Sequence, residues 1–190
     1  MTAHRPFGTR FLRTATLALG AAAVASPALA HHPIGGDTPA SFADGVLSGI
    51  GHPMLGLDHF AFIVAMGVAS AAMGLAFRAP LAFLAASMAG VMVAYLGATL
   101  PMLEPVVAGS ALLIGAALVM GQRLPATGAL GFFALAGLFH GNAYGGAIVG
   151  AEATPLLAYL LGLFATQYAI AVAAGLGIAR LAGAADVAAL

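Results

Sequence analysis

The stretch Gly51-His52-Pro53-Met54-Leu55-Gly56-Leu57-Asp58-His59 governs the reading of the chain, because it opens onto the apolar run Phe60-Ala61-Phe62-Ile63-Val64-Ala65-Met66. Two imidazoles and a carboxylate fall within eight positions, in a chain holding only six acidic residues and six histidines. An ionisable side chain at the centre of a membrane helix costs about 2.5–3.5 kcal/mol on insertion scales and is functional by default. The surrounding composition is that of a membrane protein: 62% hydrophobic and 6% charged residues, with a mean hydropathy of +1.05. A soluble domain carries about 25% charged residues.

Upstream, Arg5, Arg10 and Arg13 precede a short apolar stretch from Thr14 to Ala25 and the small-x-small site Ala28-Leu29-Ala30. Residues 1–30 therefore read as a secretory signal. Cleavage after Ala30 makes His31-His32 the new N-terminus, where an amine and a ring nitrogen together can capture a metal ion. Residues 31–51, with Pro33, Gly35, Gly36, Asp37, Pro39 and Asp44, read as a polar periplasmic segment. At most a short amphipathic helix is expected there, around Phe42 to Ile50.

Downstream come five apolar segments: Leu55 to Phe77, Leu81 to Leu100, Pro105 to Gly121, Ala126 to Val149 and Pro155 to Ala179. Each has about the length of an apolar helix that spans a bilayer. The expected fold is all-α, a polytopic transmembrane helical bundle over residues 52–180 followed by a cytoplasmic tail at 181–190. It has five spans after signal cleavage and six if the signal stays. Arg78, Arg123 and Arg180 close alternate segments and so lie on one side, which is cytoplasmic because basic loops stay inside. Asp37, Asp44, Glu104, Glu152 and the motif around Asp58 then share the periplasmic side, in a bacterial inner membrane.

Absences narrow the chemistry. All six basic residues are arginine, so no lysine is present for a Schiff base. Cysteine is absent, which removes disulfides, thiolate metal sites, iron–sulfur clusters and covalent haem. No phosphate-binding Gly-x-x-x-x-Gly-Lys-Ser/Thr loop occurs, and no basic patch suggests nucleic acid. The lipid bilayer is the one extended partner that composition demands, and the association of copies is left open.

His52 and His59 are seven residues apart, about 10.5 Å along a regular helix, too far to share one ion. Either Pro53 to Gly56 departs from helix, or the two act in succession along a path. Pro53 suits a first helical turn, which would make His52 a cap at the membrane surface. Asp58 can ligate, or orient an imidazole. A second polar constellation is Phe139-His140-Gly141-Asn142-Ala143-Tyr144-Gly145, where His140 and Tyr144 share a helix face. By rise from the ends of their segments, His59 and His140 both fall in the outer half of the bilayer. Glu152 lies just beyond, at the outer surface.

Imidazole and carboxylate without thiolate suit a borderline divalent ion such as nickel, cobalt or zinc. The metal candidates are thus His52, Asp58, His59, His140, Glu152, His31 and His32; Asn142, Tyr144 and Gln167 are candidates for a path. Gly137, Gly141 and Gly145 form a small-xxx-small face for close helix packing, and the latter two have room to admit a ligand. Two rival readings use the same residues. One is a membrane b-type haem protein with two axial histidines; the other is an intramembrane metal-dependent hydrolase with Asp58 or Glu152 as base.

On these motifs the chain resembles the HupE/UreJ family of nickel and cobalt permeases associated with hydrogenase and urease maturation. The family's pattern His-Pro-x-x-Gly-x-Asp-His is met in full by His52, Pro53, Gly56, Asp58 and His59. Its pattern Phe-His-Gly-x-Ala-His-Gly-x-Glu is met in part by Phe139, His140, Gly141, Ala143 and Gly145. Tyr144 stands where the family commonly has histidine, and Ala147 where it has glutamate. The resemblance implies a carrier rather than an enzyme, with no permanently bound cofactor, taking up Ni2+ or Co2+ from the periplasm. It also implies a functional link to hydrogenase, urease or cobalt-dependent enzyme maturation.

Overall fold

The computed structural model describes residues 37–187, with side chains through Leu181. The expected signal segment, His31 and His32 lie outside the described residues. Within them the chain forms six α-helices, α1 (Phe42–Leu55), α2 (Leu57–Ala72), α3 (Arg78–Tyr95), α4 (Leu103–Met120), α5 (Ala126–Gly145) and α6 (Ala153–Val187), with a 3-10 turn over Gly146–Ile148. No strand occurs among the described residues.

The first expected span is corrected. It does not begin at Leu55: α1 and α2 are two helices bent by 78° at Gly56. The short helix expected around Phe42 to Ile50 is α1, longer than expected because it continues to Leu55, and it is opened by Ser41 and Asp44. The Ser41 hydroxyl accepts the Asp44 N–H (3.1 Å), and the Asp44 carboxylate accepts the Ser41 N–H (3.0 Å). This reciprocal pair satisfies two otherwise orphaned donors. Two glycines of α1 are contact residues: Gly45 lies on the backbone of Pro155, and Gly49 on that of Tyr159 and Leu163.

Helix directions follow from such contacts. Gly45 and Gly49 of α1 meet residues 155–163 of α6, and Gly67 of α2 meets Ala171 further along it. Both halves of the bent pair advance along α6 in its own direction, as one span broken in the middle does. Helices α3 and α5 are also parallel to one another, with Phe83 against Gly137, Ser87 against Gly141 and Val91 against Gly145. The C-terminal parts of α2 and α4 meet the first half of α5 around a cavity of about 340 Å³ lined by Ala72, Met73, Leu118 and Phe132 among others. Thus α1–α2, α4 and α6 run one way, and α3 and α5 the other.

Helices α3, α4 and the Ala153–Leu181 part of α6 are long and apolar enough to cross a membrane; the bent pair makes a fourth if counted as one. The fourth expected span, α5, falls short of the same measure because His140 and Asn142 interrupt its apolar sequence. Those two residues are buried inside the bundle, whereas Leu113, Leu157 and Leu161 face outward, each more than half exposed. A bundle with apolar side chains outside and polar ones inside is arranged for lipid. Two apolar clusters fill it. One holds Phe62, Phe83 and Phe133, the other Val91, Tyr144, Ile148, Tyr159 and Leu163.

Candidate metal centre

The break at Gly56 is built by its neighbours. Pro53 sits inside the last turn of α1, where it has no N–H to give the preceding turn and so weakens the helix shortly before its end at Leu55. Gly56 then takes an extended conformation (φ −76°, ψ 103°), and its N–H reaches the His52 carbonyl at 3.2 Å. The chain restarts as α2 with Asp58 in its first turn, where its Oδ1 accepts the His59 N–H at 2.8 Å. A carboxylate there also favours the positive end of the helix dipole. A β-carbon at Gly56 would stand 2.8 Å from Cδ2 of His59, so the missing side chain makes space for that ring.

The turn brings His52 and His59 together, their ring centroids 6.1 Å apart and nearly perpendicular. His52 is 1% exposed, in the last turn of α1. The expectation of a cap at the membrane surface is therefore corrected: Pro53 ends a helix here rather than starting one. His140 enters from α5. Its Nδ1 lies 2.8 Å from Nδ1 of His59, and its Nε2 lies 2.9 Å from the hydroxyl of Ser110 on α4. The Phe62 ring covers it at 4.4 Å.

Tyr144, one turn beyond His140, lies tilted over His59 at 4.3 Å and meets His52 edge-on at 5.1 Å. Its hydroxyl is buried without a hydrogen-bond partner in the structure. Such a group costs about 1–3 kcal/mol and calls for a functional or structural reason. Tyr159 of α6 closes the ring of contacts. Its hydroxyl donates to the Tyr144 carbonyl (2.7 Å) and lies 3.0 Å from Nδ1 of His52. All six helices give a side chain to this cluster, Phe83 of α3 standing edge-on to His140 at 5.7 Å, and it lies where the two apolar clusters meet.

The remaining expected site residues fare differently. Asp58 is half-buried at the edge of the cluster, engaged with the α2 backbone. Glu152 is exposed before α6, contributing its backbone carbonyl to Leu156, and is not gathered with the histidines. Asn142 acts as a fastener in this structure. Its Oδ1 accepts the Leu100 N–H (2.9 Å), and its Nδ2 donates to the carbonyls of Ala98 (3.0 Å) and Gly90 (3.3 Å). All of its polar atoms are spent holding α3 and its following linker. Gly141 and Gly145 admit the backbone of α3, not a ligand. Gln167 is buried, its Nε2 bonded to the Leu163 carbonyl (3.2 Å) and its Oε1 without a partner. Among the described residues, no three His, Asp or Glu side chains stand in metal-holding geometry.

The haem reading does not fit this pair of histidines. Two rings joined nitrogen to nitrogen at 2.8 Å leave no slot for a porphyrin between them. Sequence reasoning passed over Ser110 and Tyr159. The available signals were slight: one hydroxyl in an α4 that is apolar beyond Glu104, and one of four tyrosines in the chain.

These observations define an all-helical membrane bundle with a buried histidine cluster at a broken span. The chain belongs to the HupE/UreJ family, whose description, HupE / UreJ protein, matches residues 18–190. It is 30% identical over 174 residues to Protein HupE of Rhizobium leguminosarum bv. viciae, a match covering 85% of this chain and 88% of that protein. No solved structure matches the chain significantly.

Proposed function

We propose that the chain is a permease for uptake of divalent nickel or cobalt, acting in the inner membrane through five spans with the bent pair counted as one. The observation that carries this reading is the burial of three imidazoles, from three helices, at a break in a span. Imidazole nitrogens suit borderline divalent ions. Broken helices, with their exposed backbone ends, are where secondary carriers build ion sites.

Arg78 begins α3, Arg123 lies between α4 and α5, and Arg180 lies late in α6, so the helix directions put all three at one end. Asp44, Glu104 and Glu152 lie at the other. The basic end is cytoplasmic, which puts the mature N-terminus and the entry in the periplasm and the C-terminus in the cytoplasm. An ion attracted there by His31, His32 and Glu152 meets His52 and His59, with Asp58 beside them. Handover to His140 requires the His59–His140 hydrogen bond to open. Tyr144, against His52 and His59, lines the entry, and Gln167, further along α6, lines the way onward; each has a buried unpartnered oxygen. Neutral imidazoles bind reversibly, as a carrier needs: tight enough to admit an ion and weak enough to release it. No resident cofactor and no catalysis are part of this reading. The ion delivered would serve the maturation of a hydrogenase, urease or cobalt-dependent enzyme.

The test is uptake of radioactive nickel, cobalt and zinc by vesicles holding the full chain, with His59→Ala as comparison. Uptake should fall at least tenfold, the scale on which metal sites respond to loss of a supporting group or more. Equal uptake by the variant would sink the mechanism.

A further inference from the structure

Two hydroxyls outside the recognised motifs touch the histidine cluster, and each has its single proton already committed. A hydroxyl donates once. Ser110 donates to the Val107 carbonyl at 2.7 Å, and a carbonyl can only accept. At 2.9 Å from His140 Nε2 the serine oxygen must therefore accept, and that nitrogen must carry hydrogen. A neutral imidazole protonated at Nε2 has its lone pair at Nδ1. The 2.8 Å contact between Nδ1 of His140 and Nδ1 of His59 needs one donor and one acceptor, so the hydrogen sits on His59. The lone pair of His59 is then on Nε2. Tyr159 repeats the logic. Its proton goes to the Tyr144 carbonyl at 2.7 Å, so it accepts from Nδ1 of His52 at 3.0 Å, and His52 too has its lone pair on Nε2.

We propose that Ser110 and Tyr159 are positioning residues that hold His59 and His52 in the Nδ1–H tautomer, with Nε2 as the ligating atom of each. The assignment deepens the permease reading and rests on it for the identity of the ligand. Both nitrogens of His140 are engaged, so in this arrangement His140 transmits the setting from Ser110 to His59 rather than ligating. Without the serine oxygen, the His59–His140 pair is satisfied equally well with the hydrogen reversed. The lone pair of His59 would then face His140 instead of an ion. Partners of this kind fix ring tautomers around metal sites and are nearly as sensitive to mutation as ligands.

The experiment uses the full chain in lipid nanodiscs with nitrogen-15 histidine, at a pH where imidazoles are neutral. Nitrogen-15 shifts separate protonated from unprotonated ring nitrogens. The wild type should show Nδ1–H for His52 and His59 and Nε2–H for His140. Tyr159→Phe should convert His52 alone toward Nε2–H, and Ser110→Ala should mix the tautomers of His59 and His140. Ser110→Thr, which keeps the hydroxyl, should restore them. Titration with nickel chloride should give about tenfold weaker binding for Ser110→Ala, recovered in Ser110→Thr. An Nε2–H signal for His52 or His59 in the wild type, or tautomers unmoved by either variant, would overturn the assignment. Tautomers as stated in a wild type that binds no nickel would uphold the positioning roles of Ser110 and Tyr159 and overturn the ligating role of Nε2 together with the permease reading.

Discussion

Two helix contacts in this bundle are made with the same kind of residue and end differently. Along the seam between α3 and α5, Gly137, Gly141 and Gly145 lie against the backbone of Phe83, Ser87 and Val91, and both helices run unbroken. Along α6, Gly45, Gly49 and Gly67 lie against Pro155, Tyr159 and Ala171 in the same manner, but the chain carrying them breaks between the second and third contact. Where backbones touch, little volume remains, and the polar side chain of Asn142 at this seam is spent on backbone groups. Where one helix breaks, the gap must be filled, and His52, His59 and Tyr144 fill it. Helix α5 takes part in both regions. Its glycines face α3, while His140 and Tyr144, each one position earlier than a glycine, face the break. The rigid seam therefore fixes one wall of the adaptable site.

The strongest way to break this contrast is at the seam. In Gly141→Leu a side chain would have to occupy the space of Ser87 backbone atoms, which cannot rotate away. Overpacking a tight core usually costs about 1–3 kcal/mol. Here backbone opposes backbone, and a loss at or above the top of that range is expected. The variant should lose its monodisperse peak on size exclusion in detergent and its cooperative melt. A variant that melts within a few degrees of wild type would mean the α3–α5 contact is not what holds α5 in place.

How far sequence could reach differs in the same way between the two regions. The seam was legible, since three glycines at four-residue spacing in an apolar segment have one common physical use. The pairing of charged and apolar residues made His52, Asp58, His59 and His140 stand out for a similarly simple reason. The break was legible only as one of two alternatives, a departure from helix between Pro53 and Gly56; its angle and its packing were not. Pro53 favours a first helical turn, so its place in a last turn ran against the sequence signal, and the packing partners of Gly45 and Gly49 lie over a hundred positions away. Ser110 and Tyr159 were silent because a lone hydroxyl in an apolar helix can equally bond its own preceding turn, as Ser110 also does. The use of the Asn142 amide was equally silent, because its partners are backbone groups of α3 and the linker after it.

A smaller effect is expected at the glycine of the break itself. At Gly56 an added β-carbon would meet a side chain, the His59 ring, rather than backbone. The backbone angles there suit any residue, so alanine brings no conformational strain. The ring can yield, and Gly56→Ala should fold with a melting temperature close to wild type. Its cost should appear in function, as nickel uptake lowered on the order of tenfold, the lower end for a displaced supporting contact. Unchanged uptake would show that the His59 ring is not held in a demanding position. A collapse in stability like that of Gly141→Leu would erase the distinction between the two regions.

The smallest effect is expected outside both. Glu152 is exposed, apart from the histidines, and can influence an arriving cation only through its field. That field is screened over about 8 Å at physiological ionic strength and about 30 Å at 0.01 M salt. Glu152→Gln should therefore change the half-saturating nickel concentration by less than about twofold at physiological salt, with a larger change at low salt, the signature of electrostatic steering. A loss as large as that of His59→Ala, independent of salt, would require the carboxylate to touch the ion. The turn between α5 and α6 would then have to fold inward over the break during transport, and the site would be built from three polar regions rather than two.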